Sequence, residues 1–469
     1  MADLGALAVL ATAGLLAVGA CEGGGTCPAP DAGPALDGGP DRAAPSPLDL
    51  LGAPMVSAPT AHGFGLDTVL RSGDPARLRA RVRAQPDAAW VDAGLPTVLT
   101  PDLARWAVEG LLPGRRYEYQ IQAAPDGEAE PRTLYAGSAV TRRPAGAAYT
   151  FAVLADTHIE PRDVLPPGQT VIDDTWGYQE STLRTVAHDI GAGQPDFVIN
   201  VGDILDYHIF GFNDPPPDAA WARLGYLNYR RMMGDLLGQT AHFPVLGNWD
   251  GENGCNSAEE IRRAMSQRTL YAPGPSPTTY PEGGSVNEDY YAFTWGDALF
   301  VVLNVMTYTP TCHLLSGFPG LADDWTLGPD QLAWLDRTLA GATSRWRFLF
   351  IHHTVGGAAG NPDDTAYGRG GGQAAHVGEQ AVVHAMMQKY GVQIFFYAHD
   401  HVFTDMVVDG IHYTLPGSAG APWKFDATET GYAQSWPDSG YGRVQVSPQR
   451  VQVDFVAAGG QVLTSYTVN

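Results

Sequence analysis

Five polar clusters, each standing at the end of an apolar run, constrain this chain more than any other feature of its sequence. Phe151-Ala152-Val153-Leu154-Ala155 leads into Asp156-Thr157-His158, and Phe197-Val198-Ile199-Asn200-Val201 leads into Gly202-Asp203. Phe243-Pro244-Val245-Leu246 leads into Gly247-Asn248-Trp249-Asp250, Phe348-Leu349-Phe350-Ile351 into His352-His353, and Ile394-Phe395-Phe396-Tyr397-Ala398 into His399-Asp400-His401. Such runs have the pattern of strands buried on both faces. Ligands of α/β sheets bind beyond the carboxyl ends of strands, so the five clusters converge on one edge if their strands are neighbours.

Residue type narrows the chemistry. Carboxylate, amide and imidazole donors without thiolate suit divalent or trivalent ions such as manganese, iron and zinc, with nickel and cobalt behind them. Each cluster alone is unspecific, because a strand-end histidine is more often a hydrogen-bonded core residue than a ligand. His399 and His401 say more, since period two on a strand puts both imidazoles on one side. Two carboxylates would leave a pair of divalent ions with positive charge to spare. Ions about 3.5–4 Å apart can activate a water and clamp phosphoryl oxygens.

The ordered set D-x-H, G-D, G-N, H and H-x-H resembles the signature of the calcineurin-like metallophosphoesterase superfamily over residues 150–468. The resemblance implies an αββα sandwich of two mixed sheets flanked by helices. It also implies that Asp156, His158 and His401 hold one metal, that Asn248, His352 and His399 hold a second, and that Asp203 bridges them. The cofactors would be two transition-metal ions, with iron, manganese and zinc first among them. The activity would be hydrolysis of a phosphomonoester or phosphodiester by a metal-bound hydroxide, making the protein a metal-dependent phosphoric ester hydrolase. His353 would face the substrate beside His352.

Three departures matter. Asp206 stands where purple acid phosphatases carry a tyrosine, and His158 where they carry glycine, so the pattern is that of the non-purple branch. Ala398 replaces the glycine that opens the last motif. Trp249 occupies the position of the histidine that contacts phosphate and assists the leaving group. An indole N–H donates a hydrogen bond but exchanges no proton near neutral pH. General acid catalysis is worth about 10²–10⁴-fold, so reduced or specialised activity is expected, with His353, His313 and His376 as substitutes or Trp249 as an apolar wall. The rival reading is a non-catalytic or weakly active surface lipoprotein that keeps the fold and binds metal or phosphate.

Around this core the chain divides by composition. Residues 4–20 are one apolar run, short for a membrane span of ~20 residues, and read as an export signal within residues 1–21. The run ends in Val18-Gly19-Ala20-Cys21, which resembles a lipoprotein signal acylated at Cys21, although Asp3 stands where a basic residue is usual. An ordinary cleaved signal and a misplaced start are the alternatives; the expected location is extracytoplasmic, whether periplasmic, outer-membrane-anchored or secreted. Residues 22–59, rich in Gly, Pro, Ala and Asp, read as a disordered tether. Residues 60–145 alternate in short stretches and read as a small β-sandwich. Within them Leu111-Leu112-Pro113-Gly114-Arg115-Arg116-Tyr117 resembles the tyrosine corner of fibronectin type III domains, and such a domain also precedes the catalytic domain of purple acid phosphatases.

Residues 149–469 form the α/β catalytic domain, with helices expected over 179–190, 219–237, 329–339 and 375–390. Antiparallel strands are expected over 402–408, 411–415, 442–446, 451–456 and 462–468. Cys255 and Cys312 form a candidate disulfide in an oxidising compartment, against two unrelated thiols. Arg369, in a Gly-rich insertion, is a candidate phosphate ligand, against a solvated loop. Asp206, Asp250, Asp400 and Asp405 are candidates to orient metal-bound histidines. With 51 acidic and 28 basic residues the net charge is −23, which disfavours nucleic acid and anionic membrane surfaces as partners. The expected partner is a small-molecule phosphate ester, with a membrane reached only through an N-terminal lipid.

Overall fold

The apolar runs become strands whose alternate residues face two different cores. The computed structural model describes residues 48–84, 88–124, 131–159, 180–206, 219–247, 249–250, 266–275, 289–304, 327–352, 378–421, 424 and 432–469. The front of the chain supplies β1 (Asp49–Leu50), β2 (Met55–Ser57), β3 (Phe64–Ser72), β4 (Leu78–Ala84), β5 (Val91–Asp92), β6 (Thr97–Thr100), β7 (Leu103–Val108), β8 (Arg116–Ala123) and β9 (Arg132–Val140). Next come β10 (Tyr149–Leu154), α1 (Glu180–Ala192), β11 (Phe197–Asn200), α2 (Ala219–Met233), α3 (Asp235–Gln239) and β12 (Ala241–Pro244). They are followed by β13 (Tyr291–Trp295), β14 (Ala298–Val302), α4 (Gly328–Ala340), β15 (Trp346–Phe350), α5 (Gly378–Tyr390), β16 (Ile394–Phe396), β17 (Phe403–Val408) and β18 (Ile411–Pro416). The described chain ends with β19 (Gly440–Val446), β20 (Val451–Ala457) and β21 (Val462–Val468).

These strands form an αββα sandwich. Phe151, Val153, Phe197, Ile199 and Phe243 of the first sheet meet Phe293, Phe300, Phe348, Phe350 and Phe396 of the second in one buried core. Phe300 sits at its centre, with ring centroids 5.2 Å from Phe151, 5.3 Å from Phe197 and 4.8 Å from Phe293. The alternate residues Ala152, Leu154 and Val198 face away, against Leu183, Val186 and Ile190 of α1 and Tyr226 and Tyr229 of α2. On the other side Leu299, Val301, Leu349 and Phe395 pack on Trp334, Leu335 and Leu339 of α4 and Val383 and Met387 of α5. The expected helix over 219–237 is broken at Gly234, whose φ of 53° lies in the left-handed region, so α2 and α3 are separate.

The two-sheet architecture divides the cluster-bearing strands. The five cluster-bearing strands do not share a sheet. β10, β11 and β12 are parallel neighbours in one, and β15 and β16 are parallel neighbours in the other. Their carboxyl ends therefore meet across the sandwich. The late strands divide too: β17 and β18 close the second sheet, while β19 to β21 extend the first beside β10.

The all-β front is joined to the sandwich. β2 pairs in parallel with β12 through Ser57 and His242, so the first sheet continues through β2, β3, β7 and β6. The other front layer is β5-β4-β8-β9. Tyr117 Oη accepts the Leu112 N–H at 2.8 Å, which is the corner geometry expected from that segment. Tyr119 Oη donates to the Gly238 carbonyl at 2.7 Å, and Arg143 grips Asp196 with two nitrogens at 2.6 and 2.9 Å. Residues 46–469 form one compact unit. The tether expected over 22–59 thus ends too late: Leu48, Met55 and Val56 are buried, because β2 fills the seam between β12 and β3.

Phe300→Ala should cost about 3–5 kcal/mol, as expected for removing a fully buried ring. Urea unfolding measures it; a loss under about 1 kcal/mol would mean that the inter-sheet core is not built around this side chain.

Candidate metal centre

Each cluster turns sharply where its strand stops. Asp156, His158, Asp203, His399 and His401 have φ values of 51°, 44°, 50°, 79° and 58°. Non-glycine residues rarely adopt that region, Asp and His more readily than most. Each such residue costs of order 1–3 kcal/mol and persists only where its surroundings hold it. The surroundings do so here. Asp156 N–H donates to Gly202 O at 3.0 Å, His158 N–H to Asp203 O at 3.0 Å, and Ile159 N–H to Ile204 O at 2.8 Å, so the first two turns zip together. The Asp156 carbonyl in turn accepts from Gly420 N at 3.2 Å, Ala421 N at 3.0 Å and Ser418 Oγ at 3.2 Å.

Two glycines let the turns nest. A Cβ on Gly202, whose φ is +92°, would lie 2.7 Å from Gly247 N and 2.8 Å from His352 Nδ1. One on Gly247 would lie 2.2 Å from Asp203 N and 2.3 Å from Asp203 Oδ1. Glycine at 202 and 247 is therefore a contact requirement between the turns that follow β11 and β12.

The donors fall into two groups. Ligand atoms of Asp156, His158, Asp203 and His401 lie within 4.8 Å of one another, as do those of Asp203, His352 and His399. Asp203 belongs to both, the bridging place expected for it. Its Oδ2 is 3.1 Å from His352 Nε2 and 3.6 Å from His158 Nε2, while Oδ1 accepts the Trp249 N–H at 2.9 Å. His401 Nε2 is 3.4 Å from Asp156 Oδ1.

The second ring nitrogens fix the tautomers. His158 Nδ1 is 3.1 Å from Asp206 Oδ2, and His352 Nδ1 donates to the Val201 carbonyl at 2.7 Å, which leaves each Nε2 facing inward. His158 Nε2 and His401 Nε2 stand 3.2 Å apart, a spacing that needs a proton or cation between two lone pairs. Asp156 Oδ2 is buried without a hydrogen bond. These features fit a pair of metal ions held by oxygen and imidazole donors.

Electrostatics says the same. Burial works against charge on His352, but Asp203 and then Asp156 outweigh it and lift the imidazole to about 9. His158 is likewise raised against burial, chiefly by Asp206. His401 goes the other way, to about 4, because burial outweighs Asp156 and the nearby His158 and Lys424 add repulsion. Burial and the Asp203 charge push Asp250 up to about 7. The carboxylates require cations, and protons and metal ions compete for the same lone pairs.

The remaining expectations divide. Asp206 orients His158 as expected. Asp250 instead staples the turns, Oδ1 accepting from Ile204 N at 2.8 Å and Leu205 N at 3.1 Å, and Oδ2 from Gly247 N at 2.9 Å. Asp400 accepts from Tyr432 Oη at 2.6 Å, whereas Asp405 serves His412 and Thr414, neither of them a ligand. Trp249, 8% exposed, belongs to the buried cluster with Ile204, Leu205 and Tyr226. Ala398 is buried in the inter-sheet core. Asn248, His353, Arg369, His313, His376, Cys21, Cys255 and Cys312 lie outside the described residues.

Lys424 Nζ donates to Ala421 O at 3.0 Å, on the loop clipped to Asp156.

Asp206→Asn should weaken metal retention about 10–100-fold while leaving the fold intact, measured by chelator competition; unchanged affinity would sink the orienting role of Asp206. Metal affinity should also rise with pH as His352, held at about 9, gives up its proton. Calorimetry in buffers of different ionisation enthalpy would show the released protons, and a pH-independent affinity would contradict it.

The calcineurin-like phosphoesterase family matches residues 149–403, more than half of the 469-residue chain. Among solved structures, that of PhoD is 15% identical with a TM-score of 0.63, covering 89% of this chain and 90% of PhoD, a likeness of fold. GAP50, the anchor in the inner membrane complex of Plasmodium, is 14% identical over 69% of this chain and 89% of its own, with a TM-score of 0.37. A search among curated proteins finds no match. The matched segment carries both donor groups on adjoining strand ends, and the chain belongs to the calcineurin-like phosphoesterase family.

Proposed function

We propose that this protein is an exported, dinuclear-metal phosphoesterase acting on phosphomonoesters or phosphodiesters. The observation that carries the reading is Asp203, a buried carboxylate shared by two donor groups of three and two further residues. A pair of bound metal ions would supply Lewis acidity and a water activated near neutral pH.

The chain's own residues supply the rest. Asp156, His158, Asp203 and His401 would hold one ion, and Asp203, His352 and His399 the other, with Asn248 proposed beside them. Asp206 and the Val201 carbonyl keep the imidazole lone pairs turned inward. Asp250 and the two glycines hold the turns at contact distance, which fixes the backbone that carries the donors. Burial excludes water around Asp156, Asp203 and His352, which strengthens every charge interaction there. The indole of Trp249 gives no proton to a leaving group, so another donor or a good leaving group is needed.

Export rests on the apolar segment 4–20 ahead of Cys21. Among the described residues no helix is long and apolar enough to cross a membrane. The net charge of −23 supports a small phosphate ester over nucleic acid as substrate.

The test is turnover of nitrophenyl phosphate and bis-nitrophenyl phosphate by the full chain loaded with manganese, iron or zinc. Asp203→Ala should abolish it, with a loss of at least about 10³-fold, since both ions lose a ligand. A wild-type protein that retains two ions and turns over neither ester at any pH would refute the reading.

A further inference from the structure

The turn that carries the last two ligands is held at three points by one distant segment. His399 and His401 both sit at positive φ, so the turn between β16 and β17 depends on what surrounds it. Just before it, Tyr397 packs against Tyr432 with ring centroids 6.5 Å apart. Within it, the buried Asp400 carboxylate accepts from the Tyr432 hydroxyl at 2.6 Å. Just after it, Phe403 and Trp436 exchange backbone hydrogen bonds of 2.9 Å in both directions, and Thr404 Oγ1 donates to the Gln434 carbonyl at 2.7 Å.

The same segment reaches a second ligand-bearing turn. Gly440 N–H donates to the Ser418 carbonyl at 2.9 Å, and Ser418 Oγ donates to the Asp156 carbonyl at 3.2 Å. Residues 432–440 thus fasten both turns, and the Tyr432–Asp400 bond is the tie that acts inside the second of them. An O–H bond to a buried carboxylate is among the stronger kinds, because the acceptor is charged and shielded from water. The turn it holds serves both donor groups. His401 belongs with Asp156, His158 and Asp203, whereas His399 belongs with Asp203 and His352. Any shift of this one turn displaces a ligand from each group.

We propose that Tyr432 is a positioning residue of the metal centre: its hydroxyl, through Asp400, sets the His399-Asp400-His401 turn and so governs retention of both ions together. This rests on the two-ion reading above and adds to it a residue from outside the five strand-end clusters. Asp206 provides the contrast, since it orients His158 and so serves one donor group.

The test loads the full-length protein with cobalt and titrates it with a chelator, following the release of each ion and its ligand-field spectrum. Tyr432→Phe should weaken retention of both ions about 10–100-fold and alter both spectra, whereas Asp206→Asn should act chiefly on the ion held by His158. Unchanged retention in folded Tyr432→Phe overturns the proposal, as does a loss confined to one ion. A lowered melting temperature with unchanged retention and spectra also overturns it, by reducing the hydroxyl to a structural tie. If Tyr432→Phe does not fold, Asp400→Asn is read in the same way. Its neutral amide oxygen holds the hydroxyl about half as strongly, so a loss of at least about threefold for both ions is expected, and full retention overturns the proposal. Because retention is measured and not turnover, a wild type that holds two ions and hydrolyses no ester refutes the phosphoesterase reading alone. One that holds fewer than two ions refutes this assignment.

Discussion

Everything in this site depends on keeping several carboxylates buried at one point. Asp156, Asp203, Asp206 and Asp250 are all fully buried. An isolated ionised carboxylate inside a protein is strongly unfavourable unless paired or bound to metal. Each of the four has a distinct answer. Asp250 takes three backbone N–H groups, Asp206 takes an imidazole, and Asp156 and Asp203 face clustered histidines. That sorting separates the carboxylates that hold the framework from those left for ions.

Backbone strain follows from the same constraint. To aim the described donors from four strand ends at one small volume, the chain must turn within a residue or two. Five of the turning residues sit at positive φ. The turns persist because the strands beneath them are clamped by the inter-sheet aromatic core, and because Gly202 and Gly247 allow the loops to touch. A rigid sandwich thereby converts packing energy into a fixed donor geometry.

The front layer belongs to that rigidity. β2 continues the first sheet beyond β12, and Tyr119, Arg143 and Asp196 fasten the small sandwich to the large one. β12 leads into the Gly247 turn, so a paired neighbour on its outer side steadies one wall of the metal centre. Without β2, β12 would be an edge strand with unpaired backbone groups.

How far the sequence alone reached is clear from particular residues. Apolar runs ending in Asp, Gly-Asp and His determined the strands and the described donors, because burial pattern and ligand chemistry are local properties. The tyrosine corner at Tyr117 was equally legible, since it lies within a few residues of chain. Sheet partnership was not: three of the five strands lie in one sheet and two in the other, a choice made by which aromatic faces interlock. Met55 and Val56 looked like tether, because short apolar stretches reveal their burial only when a distant edge such as β12 receives them. Trp249 stands at a position the motif marks, and its side chain also belongs to the buried cluster with Ile204, Leu205 and Tyr226. The backbone at Ala419, Gly420 and Ala421 came to Ala155 and Asp156 only through hydrogen bonds between segments far apart in sequence. The chemistry was written in residue types at strand ends; the arrangement that lets those residues meet was decided by long-range packing, which no local pattern encodes.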